Sequence, residues 1–149
     1  MTDKDVRRML NRLANNGSAG TRKKNQNNNL MWIMKLMYYC HLKMNDALKV
    51  CRGNLIKTKK GCFGTYIYSK EGLEDKAMVF EIYPSLFKEL VKYVSSNESE
   101  EQYVITVKKR TLQKAFRDLA NEMGIEGRLI DVMYAGEKYF TKTKSPYEM

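Results

Sequence analysis

Tyr38-Tyr39-Cys40-His41-Leu42-Lys43-Met44-Asn45-Asp46-Ala47-Leu48-Lys49-Val50-Cys51-Arg52-Gly53-Asn54-Leu55 is the stretch on which the fold turns. It begins where an apolar run stops. On its N-terminal side, Leu30 to Tyr39 is apolar except for Lys35, with Trp32, Ile33, Leu36 and Met37 spread around most of the helix. A helix apolar on all sides is normally central, so its methionines and aromatics are core rather than a cofactor site.

Further toward the N-terminus, Thr2-Asp3-Lys4-Asp5 predicts a capped helix start with an acid at the third position. Val6, Met9, Leu10 and Leu13 recur at helical spacing, and the helix is expected to end near Asn15-Asn16-Gly17. Gly17 to Asn29, with its basic and asparagine-rich run from Arg22, reads as an exposed loop. On the C-terminal side, Thr65 to Tyr68 and Ala77 to Ile82 are rich in β-branched and aromatic residues. They flank the polar segment Ser69 to Lys76, which predicts a sheet with a hairpin. Pro84 suits a helix start, where its missing N–H costs nothing. Leu86, Phe87, Leu90, Val91 and Val94 give that helix one apolar face.

Ser95 to Glu101 reads as a loop and Tyr103 to Val107 as a short extended run. Thr111 is expected to cap a helix whose inner face is Leu112, Ala115, Phe116, Leu119 and Met123, with Gly124 ending it. Leu129 to Tyr134 carries a helical pattern, and Lys138 to Met149 reads as a basic tail. The expected class is α+β: mostly helical, with a small antiparallel three-stranded sheet, in one domain over 1–149.

The bulk chemistry narrows the function. The chain has 149 residues, 43% of them hydrophobic, which is enough for one real core. Its net charge is +10, a surface that attracts a polyanion, most commonly nucleic acid. Three cysteines (Cys40, Cys51, Cys62) without C-x-x-C spacing and a single histidine argue against a zinc site, and no cofactor is expected. Reduced cysteines fit a cytosolic or virion-interior protein. No apolar run approaches the roughly 18 residues of a membrane helix, and the N-terminus lacks the apolar core of a signal peptide. There is no P-loop and no paired metal-binding carboxylate motif. Cys40 and His41 are sequence neighbours and point apart on a helix, which disfavours a cysteine–histidine nucleophile.

The ordered set of parts resembles the catalytic domain of tyrosine recombinases, the phage-integrase family, from Thr2 to about Ile125. The family's first catalytic box is a threonine-glycine-leucine-arginine turn after a buried helix, matched by Cys40-His41-Leu42-Lys43; the short helix and the strand that follow it in the family imply a short helix at Asn45 to Val50 and a strand opening at Asn54-Leu55. The helix before its second box is matched by Lys109-Arg110-Thr111-Leu112-Gln113-Lys114-Ala115-Phe116 and the ending Met123-Gly124-Ile125. The resemblance carries the first arginine onto Lys43 and the acid three positions on onto Asp46. The hairpin lysine that protonates the leaving 5′ oxygen falls on Lys70, between Tyr68 and Gly72. The second box, histidine-x-x-arginine, has no histidine after Gly124-Ile125; Arg128 comes early for its role. The chain is also too short beyond that point to hold the family's spacing to the nucleophile. Tyr134, Tyr139 and Tyr147 are the available tyrosines, none in a matching context.

Two arginines in such a site meet the charge on the phosphate with planar, bidentate hydrogen bonds. Lysine keeps the charge and loses the fork, and loss of one fixed donor costs on the order of 10²–10³ in rate. The resemblance therefore implies a double-stranded-DNA-binding domain of integrase-like fold, acting in or derived from DNA recombination or integration, without strand cleavage. A mobile element or virus would be its source, and the cytoplasm, nucleoid or infected host cell its place. The DNA-binding residues expected are Lys43, Lys57, Lys59, Lys60, Lys70, Lys108, Lys109, Arg110, Lys114 and Arg128. An alternative is an active minimal recombinase or relaxase-like strand transferase using Lys43, Lys70 and Tyr147 or Tyr139. Another is an interaction module that pairs with itself or a full-length recombinase through its C-terminal tail. The recombinase reading requires Lys43, Lys70 and Arg128 to converge on one basic groove.

Overall fold

The computed structural model describes residues 1–15, 20–96 and 100–142, the last six as helix backbone. Thr2 caps the first helix, α1 (Asp3–Ala14). Its hydroxyl accepts from the Asp5 N–H at 3.1 Å, and the Asp5 carboxylate accepts from the Thr2 N–H at 3.0 Å. That reciprocal pair satisfies two of the donors a helix start leaves open. The same backbone hydrogen bond holds the Asp5 carboxyl below its ordinary range. Val6, Met9, Leu10 and Leu13 are buried, as their spacing predicts.

The second helix, α2 (Thr21–Tyr39), overturns the expected loop from Gly17 to Asn29. Residues 16–19 lie outside the described ones, but Thr21 to Asn29 are helical. The cause lies in the half that follows. Leu30, Trp32, Ile33, Met34, Leu36, Met37 and Tyr38 are all buried. Packing thus bears the nucleation cost, and no proline or glycine after Gly20 stops the helix from extending backward. Asn29, read as loop, is one of two buried polar residues. Its amide donates to the Asn25 carbonyl at 2.9 Å, and its side-chain oxygen accepts from the Thr106 N–H at 2.7 Å.

The chain leaves α2 through the turn at Cys40–Lys43. His41 adopts φ +56°, which carries the chain out of the helix direction, and a short helix, α3 (Met44–Ala47), follows. The expected strand from Asn54-Leu55 begins one residue later, as β1 (Ile56–Thr58). With β2 (Gly61–Tyr68) and β3 (Lys76–Ile82) it forms an antiparallel sheet in the order β1-β2-β3. The register pairs Cys62 with Ile82 and Gly64 with Phe80. These positions face the core: Cys62, Phe80 and Ile82 are buried, and Gly64 leaves room for the Phe80 ring.

Pro84 opens α4 (Pro84–Ser96), which buries Leu86, Phe87 and Leu90. The expected loop from Ser95 therefore starts later, and 97–99 lie outside the described residues. The expected extended run at Tyr103–Val107 forms a single bridge, Tyr103 with Cys51. Its backbone then turns inward to Asn29, which takes the Thr106 N–H away from any sheet partner.

Lys108, not Thr111, is the N-cap residue of α5 (Lys109–Glu122). The Leu112 N–H donates to the Lys108 carbonyl at 3.1 Å, which starts the helix before the threonine. Leu112, Phe116 and Ala120 are buried. Gly124, at φ +68°, ends α5 as its sequence position predicts. The Ile125 N–H reaches the Ala120 carbonyl at 2.8 Å and the Gly124 N–H the Asn121 carbonyl at 3.2 Å, a Schellman ending. The last helix, α6 (Asp131–Lys142), extends past the helical pattern read at Leu129–Tyr134 and takes in the first part of the expected tail. Residues 143–149 lie outside the described ones.

The protein is α+β, about 53% helical. At its centre α2 packs against α1, α3, α5 and α6, while α3 and α4 pack on β2. Trp32, Tyr38 and Phe116 are the largest fully buried side chains. Among the described residues no helix is long and apolar enough to cross a membrane.

Candidate nucleic-acid interface

The turn that ends α2 delivers Lys43 to the surface. It is the N-cap residue of α3, its side chain makes no capping hydrogen bond, and it is exposed. Burial raises the Asp46 carboxyl above its ordinary value, and the nearby Lys43 ammonium pulls it partly back. Burial also raises the Tyr66 phenol, with the Asp46 charge adding to the effect. The Asp46 charge is thus felt by both Lys43 and Tyr66 of β2.

Arg128 arrives from the other end of the chain. Gly127, at φ +140°, bends the backbone after α5. The Arg128 N–H then donates to the Asp131 carboxylate at 2.7 Å, and the Asp131 N–H donates back to the Arg128 carbonyl at 2.9 Å. Only one half of the first helix's capping box recurs here, the acid accepting from the backbone N–H three residues before it, while the return bond goes to a backbone carbonyl; together they hold the backbone at Arg128.

Lys43 and Arg128 meet in one cleft of about 640 Å³ between α3, α5 and the start of α6. Lys109 and Arg117 from α5 complete its basic lining, and Tyr134 and Ile130 form an apolar edge. No carboxylate lines it. The Lys109 ammonium donates to the Asn45 side-chain oxygen at 3.0 Å, which bridges α5 to α3 across the cleft. Four cations converge on this concavity; among the described residues no carboxylate is in its lining, Asp46 lies near Lys43 and Asp131 is bonded to the Arg128 backbone, so the net field can attract a phosphate.

Other expected contact residues lie elsewhere. Lys57, Lys59 and Lys60 are exposed on the β1–β2 hairpin, and Lys70 on the turn between β2 and β3. None of these four lines the cleft, nor do Lys108, Arg110 and Lys114. Of the three residues whose convergence the recombinase reading requires, the fold brings together Lys43 and Arg128 and leaves Lys70 outside. Tyr147 lies outside the described residues, as does the side chain of Tyr139. Cys40 is half-buried, and burial pushes its thiol up to about 12. Such a thiol supplies almost no nucleophilic thiolate at neutral pH.

Arg117 was not among the expected contacts, although a signal for it was present. Lys109, Gln113 and Arg117 recur every four residues, so they share one face of α5, and all three line the cleft. Arg110 and Lys114 sit one position out of that phase. Tyr134 was noted as available without a role; only the packing of α6 places it here. The chain matches no family model, no curated protein and no solved structure.

Proposed function

We propose that the protein is a DNA-binding domain that holds duplex DNA at this cleft without cleaving it; with Lys70 outside the cleft, the convergence that the tyrosine-recombinase reading requires is not met. The observation that carries the proposal is the convergence of Lys43, Lys109, Arg117 and Arg128 on one concavity that no carboxylate lines. The lysine at the first-box position retains the charge that holds a phosphate and lacks the bidentate fork that stabilises a cleavage transition state. Contacts of this kind position a protein on the backbone and carry no base sequence, so the binding is expected to be sequence-tolerant. The hairpin cations Lys57, Lys59, Lys60 and Lys70 would extend the footprint along the duplex.

The test is a salt titration of duplex binding followed by fluorescence anisotropy. With four phosphates neutralised, doubling the salt from about 50 to about 100 mM weakens binding roughly tenfold. Affinity that does not respond to salt, or no binding at low salt, would defeat the proposal.

One observation favours a second reading. Tyr134 shares the cleft with Lys43 and Arg128, which is where a strand transferase would need its nucleophile. In that case a nicked suicide duplex traps a covalent protein–DNA adduct, and Tyr134→Phe abolishes it. Absence of the adduct from protein that binds the same duplex leaves the non-cleaving domain.

A further inference from the structure

Tyr134 borders more than one hollow. A second concavity of about 550 Å³ is lined by Tyr134 together with Lys4, Arg7, Arg8 and Asn11 of α1. Asp3 also lines this hollow, and it pairs with Arg7 at 3.4 Å, which leaves Lys4 and Arg8 to set the sign of its field. Tyr134 is the residue common to the linings of the cleft and this hollow. It is 56% exposed although large and aromatic. Ile130, in the turn just before α6, is 37% exposed and also lines the cleft.

An exposed aromatic ring shared by the linings of two basic hollows has a specific chemical use. A duplex presents phosphates outward and keeps its base faces stacked on one another, so it offers the ring nothing to stack on. An unpaired nucleotide offers a π-face with a phosphate on each side. Base–aromatic stacking and a cationic groove together are how proteins bind single strands without reading sequence.

We infer that Tyr134 is a stacking platform for an unpaired base of single-stranded DNA. The flanking phosphates then run into the Lys43–Arg128 cleft on one side and toward Lys4 and Arg8 on the other. The inference rests on the cleft being a nucleic-acid site and adds a second strand form that it takes beside duplex. The ring, and not the phenolic oxygen, does this work.

The experiment compares labelled oligothymidylate with a duplex of equal length, at low salt, by fluorescence anisotropy. Tyr134→Ala is expected to weaken oligothymidylate binding about tenfold and to weaken duplex binding by a smaller factor, while Tyr134→Phe retains both. Because Tyr134 is exposed, neither substitution opens the core. In Tyr134→Trp the new indole is expected to be quenched when oligothymidylate is added, a direct signature of stacking. Wild-type affinity for oligothymidylate that Tyr134→Ala does not alter, or an indole in Tyr134→Trp that is not quenched, overturns the inference while the cleft still binds duplex. Failure to bind either form of DNA overturns the cleft proposal as well.

Discussion

Replacing Gly136 by alanine is expected to destabilise the protein by about 3 kcal/mol, the upper part of the range for overpacking a tight contact. On an exposed helix the same change stabilises, because glycine costs roughly 1 kcal/mol relative to alanine there. The sign reverses here because of what lies opposite. A Cβ at Gly136 would sit 2.2 Å from the Tyr38 carbonyl oxygen and 2.8 Å from the Tyr38 Cα. Both are backbone atoms of α2, so no side chain can rotate out of the way, and α6 would have to lift off the central helix. Thermal unfolding checks this: at roughly 2–4 °C per kcal/mol for a chain of this size, the midpoint falls by about 6–12 °C. An unchanged or raised midpoint would show that the two helices do not pack this closely. Tyr38 lies just before the turn that presents Lys43, and Tyr134 just before Gly136. The same substitution should therefore loosen the cleft and weaken DNA binding.

The second large effect belongs to the cleft. The double variant Lys43→Ala/Arg128→Ala is expected to weaken duplex binding about sixtyfold at about 0.1 M salt, and to lower the slope of log affinity against log salt by about 2. Both residues are exposed, so the variant should fold normally, which its thermal midpoint checks. The control is Arg110→Ala/Lys114→Ala on α5. It removes the same charge from the chain and leaves the cleft lining intact. Equal losses in the two variants would mean that net charge alone attracts the DNA and that the cleft holds no particular phosphate.

Part of this architecture is legible in the residues. The Thr2/Asp5 box, the Val6–Leu13 periodicity, the β-branched runs around Ser69–Lys76, Pro84 and Gly124 all act through neighbours within a turn or a hairpin. In each case the local preference and the final structure agree. Where polar sequence has no such signature, the reading fails. Thr21 to Asn29 looks like a loop because its helix is held by the buried turns after it. Tyr103 to Val107 looks like a strand, but a buried asparagine far away in the chain claims its backbone.

The candidate site divides in the same way. Lys43, Lys109 and Arg128 are recognisable as cations beside a turn, a helix start and a glycine. Arg117 follows from the four-residue spacing on α5. Tyr134 and Gly136 have no local signal, since exposure and close approach are properties of a neighbour.

By itself, then, the sequence determined a basic α+β domain, the helix and strand order, and a lysine at the end of the buried helix. Only the tertiary structure decided that this lysine shares a cleft with Arg128 and Tyr134, while Lys70 does not. Periodicity and capping are short-range and repeat along one element. Convergence depends on how closely α6 approaches α2, and that is set by a missing side chain at Gly136 against a backbone carbonyl at Tyr38.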